Sequence, residues 1–293
     1  MHIEKSVIYH INGQPIHAHE EGPPNAQIAI LLHGWSSSWY AVSPLLPLLS
    51  ERYHCIAVDL PGYGESPPLP QRVTIPDYAD LIADLIRGLT KRPVVLVGHS
   101  MGGMTSLTIA TRHPEIVERI VLIDPTISGR LSLYINLFIS PITLLERGRL
   151  FNFIVAKMEP LFVNITDRLM RPSQFAEHTG LTEKDYHRLR ADARHPGQGK
   201  VRAECYWAMR ANDLRGHLGD MDKPTLAIWG LEDNTVPLRD ASALAQECPD
   251  IDLRFIPNAG HWPQFEKPRL TKRYVRAFLS TPLKLLNLLN LGL

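Results

Sequence analysis

Val94-Val95-Leu96-Val97-Gly98-His99-Ser100-Met101-Gly102-Gly103 is the stretch on which the fold is read. Four apolar residues in a row, three of them β-branched, suit a parallel strand buried on both faces. A Gly-x-Ser-x-Gly turn follows at once, and Thr105 to Arg112 behind it has helical character. Glycines two positions to either side of a serine permit a very tight strand-to-helix turn. Such a turn lifts the hydroxyl above the sheet edge, beside a helix N-terminus that favours developing negative charge. Ser100 is therefore the candidate nucleophile.

The same rhythm of apolar run, turn and helical segment extends outward from this motif. Runs occur at Ile28–Leu32, Cys55–Val58, Ile120–Ile123, Leu226–Trp229 and Leu253–Ile256, and Tyr78 to Leu89 has helical period. Ser6 to His19, with Asn12-Gly13 at its centre, reads as an N-terminal hairpin. The expected class is α/β, with a mostly parallel sheet of about eight strands and helices on both faces. The rhythm breaks between Ile123 and Leu226. Leu131–Leu145, Phe151–Met170 and Val201–Leu214 are helix-like there, punctuated by Pro141, Pro160, Pro172 and Pro196. Residues 128–219 are expected to be a helical cap inserted after the sixth strand. Residues 1–127 and 220–293 form the core.

Composition narrows the partners. A chain of 293 residues, 44% hydrophobic, can bury one large core with an inserted module. Its 31 basic and 30 acidic residues nearly cancel, so nothing predicts a nucleic-acid partner. Met1 to Gln27 is polar and charged, without the apolar stretch of a secretory signal. No apolar run approaches the ~20 residues of a membrane span. Cys55, Cys205 and Cys248 are scattered, which suits a reducing compartment and makes the cytoplasm the default expectation. At the C-terminus, Leu283 to Leu291 places Lys284, Asn287 and Asn290 at helical spacing among leucines. Three readings fit that segment: a peripheral membrane contact, a dimer contact, or a terminal helix docked on its own domain.

A serine hydroxyl needs a base, and the chain has 13 histidines, so position decides. His261, in Asn258-Ala259-Gly260-His261-Trp262, follows the last strand and faces the sheet edge of the nucleophile turn. His33 and His99 flank the same region, where backbone placement explains them at least as well. The base needs a carboxylate to hold its tautomer. Asp233 follows the strand Leu226–Trp229 and gives the chain order serine, acid, histidine. Asp124 is its rival, since it ends the strand Ile120–Ile123 at the same edge, although it also reads as a cap before Pro125. Two backbone N–H groups are needed for a developing oxyanion. Met101, directly after the serine, is one candidate, and Trp35, in His33-Gly34-Trp35, is the other. The Trp35 indole either walls the site or simply packs.

Taken together, His33-Gly34-Trp35, Asp59 to Ser66, Gly98 to Gly103, Gly230 to Pro237 and Gly260-His261 resemble the α/β-hydrolase superfamily, in its capped esterase and C–C hydrolase-like branch. The resemblance implies a Ser100–Asp233–His261 triad, an acyl-enzyme route, a small-molecule ester substrate and no cofactor or metal. It implies a structural turn at Asp59–Ser66. Epoxide hydrolases and haloalkane dehalogenases of the superfamily use an aspartate nucleophile, and serine at position 100 argues against both. Ester hydrolysis is the leading expectation. The same constellation also serves C–C cleavage of a diketone, lactone opening, cofactor-free perhydrolysis and acyl transfer, and some superfamily members are ligand receptors.

Overall fold

Asn12 and Gly13 both take positive φ, 53° and 80°, the two-residue turn that matches the twist of paired antiparallel strands. They join β1 (Ile3–Ile11) to β2 (Gln14–Gly22) as the expected hairpin. The remaining strands are β3 (Gln27–Leu32), β4 (Tyr53–Val58), β5 (Val94–His99), β6 (Val117–Ile123), β7 (Thr225–Gly230) and β8 (Asp252–Ile256). All eight form one sheet in the order β1-β2-β4-β3-β5-β6-β7-β8. The β2–β4 pairing is antiparallel, and every pairing from β4 through β8 is parallel. The computed structural model describes residues 2–133, 135–137, 143, 174–176, 181–193, 198–248, 250–283 and 285.

Alternation along the strands builds two core layers. Ile30, Leu32, Ile56, Val58, Leu96, Ile120, Leu122 and Trp229 share one buried cluster. Ala29, Leu31, Ala57, Val95, Val97, Val121, Ile123 and Ile228 share the other. Each large aliphatic side chain buried this way contributes roughly 1.5–3 kcal/mol. Helices cover both layers. α1 (Ile75–Leu89) and α2 (Met101–Arg112) lie in the first, and α6 (Pro268–Ser280) presents Val275 and Phe278 to the second. α5 (Leu238–Glu247) adds Ala241 and Leu244 to the first. α1 starts where Thr74 and Asp77 form a reciprocal capping box, with Pro76 in the first turn.

α2 begins at Met101, four residues before the position its periodicity suggests, because the helix starts inside the glycine-rich turn itself. Between β6 and β7 lie α3 (Glu183–Ala193) and α4 (Gly199–Ala211), the latter overlapping the helix expected at 201–214. The helix-like stretch at 151–170, most of that at 131–145 and most of the leucine-rich segment 283–291 lie outside the described residues. Cys55, Cys205 and Cys248 are free and buried, and burial pushes the Cys205 and Cys248 thiols up to about 11. They are thiols at neutral pH and act as packing groups. Among the described residues, no helix is long and apolar enough to cross a membrane.

Candidate active site

Four loops at the C-terminal ends of β3, β5, β7 and β8 meet at one edge of the sheet, the edge where open parallel sheets place ligands. Ser100 sits between β5 and α2 at φ 54° and ψ −116°, a conformation that non-glycine residues seldom adopt. The flanking glycines make that turn feasible. A Cβ at Gly98 would lie 2.4 Å from the Gly102 carbonyl oxygen, and one at Gly102 would lie 2.2 Å from that of Leu32. The Ser100 N–H donates to Ile123 O at 2.9 Å, and its carbonyl accepts from the N–H groups of Gly103 and Met104. Met101 opens α2, so its N–H is one of the first-turn donors that the helix cannot satisfy itself.

His261 and Asp233 are brought together. The Nδ1–Oδ2 distance is 2.8 Å, and both side chains are almost fully buried. The other Asp233 oxygen accepts from the N–H groups of Thr235 (2.7 Å) and Val236 (3.0 Å), which fixes the carboxylate. Glu232 points elsewhere and accepts from Ala259 N–H at 3.0 Å. With Nδ1 committed to Asp233, the His261 nitrogen that can face a serine is Nε2. It is not hydrogen-bonded to Ser100 Oγ in this structure; bonds of this kind often tighten only with substrate.

The loop after β3 passes directly over Ser100. A Cβ built on Gly34 would lie 3.0 Å from both Ser100 Cβ and His99 Nδ1. His33 sets this loop. Its Nε2 accepts from Leu60 N–H at 3.0 Å, so Nδ1 carries the hydrogen that it donates to Gly34 O at 2.7 Å. The Trp35 indole N–H donates to Arg202 O of α4 at 2.8 Å, which ties the loop to the segment between β6 and β7. Asp59–Ser66 is a structural turn. The Asp59 carboxylate accepts from the N–H groups of Trp39 and Glu65 and meets His17 Nδ1 at 2.7 Å.

Two supports of the His261 loop escape a sequence reading. His99 Nε2 donates to the His261 carbonyl at 2.8 Å, linking the Ser100 turn to the His261 loop. Burial, then the neighbouring His261, holds the His99 imidazole well below its usual range, so it is neutral. Glu266 is buried and accepts from the N–H groups of Gly260 (2.9 Å), Trp262 (3.2 Å) and Ala176 (3.0 Å). The His261 N–H itself donates to Gln174 O at 2.8 Å. Three of these links, to Gln174, Ala176 and His99, join positions 87 to 162 apart, and no motif announces them.

Asp124 is not an alternative placed elsewhere but a neighbour of the same pair. One oxygen each of Asp124 and Asp233 and a ring nitrogen of His261 lie within 4.8 Å of one another. Asp124 takes φ 42°, and its Oδ1 accepts from Gly230 N–H at 2.9 Å. Burial first, and the Asp233 carboxylate second, push its carboxyl well above the usual range. Two carboxylates and an imidazole are also metal-type ligands, but a cation there would compete with the Nδ1 hydrogen that bonds Asp233.

A family model described as alpha/beta hydrolase fold matches residues 30–268. An uncharacterized hydrolase, YugF, of Bacillus subtilis is 28% identical over 281 residues, covering 92% of this chain and 96% of its own. A 2-hydroxy-6-oxononadienedioate/2-hydroxy-6-oxononatrienedioate hydrolase of Cupriavidus pinatubonensis is also 28% identical, covering 90% of each chain. Among solved structures, the epoxide hydrolase CorEH matches with a TM-score of 0.76 at 21% identity, over 95% of this chain and 99% of that one. At that identity the likeness concerns the fold.

Proposed function

The chain belongs to the α/β-hydrolase fold family, and from that premise we propose that it is a serine hydrolase that cleaves carboxylic esters of small to medium apolar substrates. One observation carries this reading: a buried His261–Asp233 pair at 2.8 Å, with the His261 carbonyl bonded to His99, next to a Ser100 held at φ 54° in the turn after β5. His261 Nε2 takes the Ser100 proton as Ser100 attacks the carbonyl. The N–H groups of Met101 and Trp35 stabilise the oxyanion, each such donor contributing roughly 3 kcal/mol. His261 protonates the leaving alcohol and then activates the water that releases the acid. Asp233 holds the imidazole and stabilises its cation.

Residues 128–219 act in this reading as a cap whose apolar side chains shape the acyl site, and medium acyl chains are preferred over acetate. An epoxide-opening role, suggested by relatives named for it, fits poorly with a serine at the nucleophile position. C–C hydrolysis is the second reading, favoured by the Cupriavidus relative. A chain-length panel of p-nitrophenyl esters, run beside a diketone, separates the two. Ser100→Ala abolishes turnover of p-nitrophenyl butyrate while leaving the fold intact; unchanged turnover in that variant sinks the assignment. Asp233→Asn loses more activity than Asp124→Asn, and the reverse order would exchange their roles.

A further inference from the structure

Asp124 has one oxygen accounted for and one that is not. Oδ1 accepts from Gly230 N–H, whereas Oδ2 is fully buried and accepts from no donor among the described residues. A buried carboxylate oxygen without a donor is costly. Asp233 is the opposite case, with three donors on its two oxygens. Two adjacent buried carboxyl groups cannot both ionise cheaply, and the proton goes to the one with fewer donors. The titratable groups around Asp124 are Asp233 after β7 and His261 and Glu266 after β8, with His99 on the adjoining strand, beside Ile123. Neutral His99 offers it no positive charge, and Glu266 adds a second negative one.

We propose that Asp124 is a positioning residue of this site: its Oδ2 carries a hydrogen that it donates to Asp233, and it thereby braces the carboxylate that orients His261. The bond completes the hydrogen-bond accounting of both side chains. The hydrogen stays on Asp124 throughout, so no proton moves. The backbone agrees with this role. Asp124 leaves β6 in the left-handed region, which aspartate tolerates better than most residues. Its own N–H is fixed to Ile228 O at 2.9 Å. The residue is thus anchored twice on β7, by its backbone N–H to Ile228 and by its Oδ1 to Gly230, on the strand that leads to Asp233. The proposal rests on the Ser100–His261–Asp233 reading.

Infrared difference spectroscopy of wild type against Asp124→Asn tests it directly. At neutral pH the wild type shows a carboxylic-acid C=O band that the variant lacks, and no such band in the wild type overturns the proposal. The band reports Asp124 whether or not an ester is turned over, so its failure is distinct from failure of the hydrolase reading. Kinetics supply the second arm. Asp124→Ala leaves an Asp233 oxygen short of a donor and lowers kcat roughly 10- to 100-fold with little change in KM. Asp124→Asn, whose amide can still donate to Asp233 and accept from Gly230, recovers most of that loss and keeps the acid limb of the pH–rate profile in place. Wild-type rates in the alanine variant overturn the proposal. So does an acid limb displaced by about one pH unit or more in the asparagine variant, because Asp124 would then be carrying charge. If the alanine variant does not fold, the infrared band and the asparagine profile decide.

Discussion

Replacing Gly34 with alanine should cripple turnover at a modest cost in stability. The new Cβ would start 3.0 Å from Ser100 Cβ and 3.0 Å from His99 Nδ1. Carbon pairs settle near 3.5–4.0 Å, so the loop must retreat by about 0.5 Å or more. The backbone at Gly34 is outside the left-handed region, so alanine costs nothing there through φ. The retreat carries the Trp35 N–H away from the spot where an oxyanion donor must lie 2.7–3.1 Å from the charged oxygen. Losing one such donor costs about 100-fold or more in kcat. The overpacking itself costs about 1–2 kcal/mol, a fall of roughly 2–5 °C in Tm. The assay is initial-rate kinetics on p-nitrophenyl butyrate across a concentration range, with a melting curve alongside. The expected result is kcat down about 100-fold with KM near its wild-type value. A folded variant with kcat within about threefold of wild type would refute the assignment of this loop to the oxyanion.

Other perturbations probe the supports. Glu266→Ala strips the acceptor from three backbone N–H groups and should destabilise by roughly 3 kcal/mol, read as a fall in Tm, with kcat falling as the His261 loop loosens. Trp35→Phe keeps a ring but removes the indole donor to Arg202 O, so it should cost about 1 kcal/mol and shift the ester chain-length profile more than the rate on the best substrate. For Asp124 the pH linkage has a definite sign. Its folded pKa lies well above 3.8, so the folded state holds the proton that the unfolded state has lost. Its contribution is complete below the unfolded pKa and drains away as pH rises toward the folded one. Melting curves at stepped pH should therefore show Asp124→Asn gaining on wild type as pH rises from about 4. A constant difference across that range would contradict a raised folded pKa.

Much of this architecture is legible before any coordinates. Runs such as Ile28–Leu32 and Val94–Val97 announce themselves because both sheet faces are covered, leaving no polar alternation to confuse the pattern. The start of α2 is hidden for a physical reason. Met101-Gly102-Gly103 has poor helix propensity, yet close packing of Gly102 under the Leu32 carbonyl fixes it in helix. Asp233 and His261 are readable as strand-end residues. The choice between Asp233 and Asp124 is not, because sequence frames it as either one or the other, whereas the fold sets the two carboxyls side by side. His99 and Glu266 act through backbone atoms, so their side-chain chemistry carries no signal of what they hold. The sequence leaves the Trp35 indole open between wall and packing; the indole ties the loop to α4.

The bond from His261 N–H to Gln174 O has a further consequence. Gln174 belongs to the long excursion between β6 and β7, so the base is suspended partly from a segment that the sheet does not own. Under the proposed function, exchanging that segment for a relative's, as a route to new substrate preference, disturbs the His261 loop as well as the pocket. A chimera that cuts the chain between Gln174 and Ala176 severs one tether of the histidine, whereas one that retains Gln174–Ala176 with the Glu266 anchor leaves it hanging true. On that reading selectivity and reactivity are not separable modules, and the seam between them runs through residues 174–176.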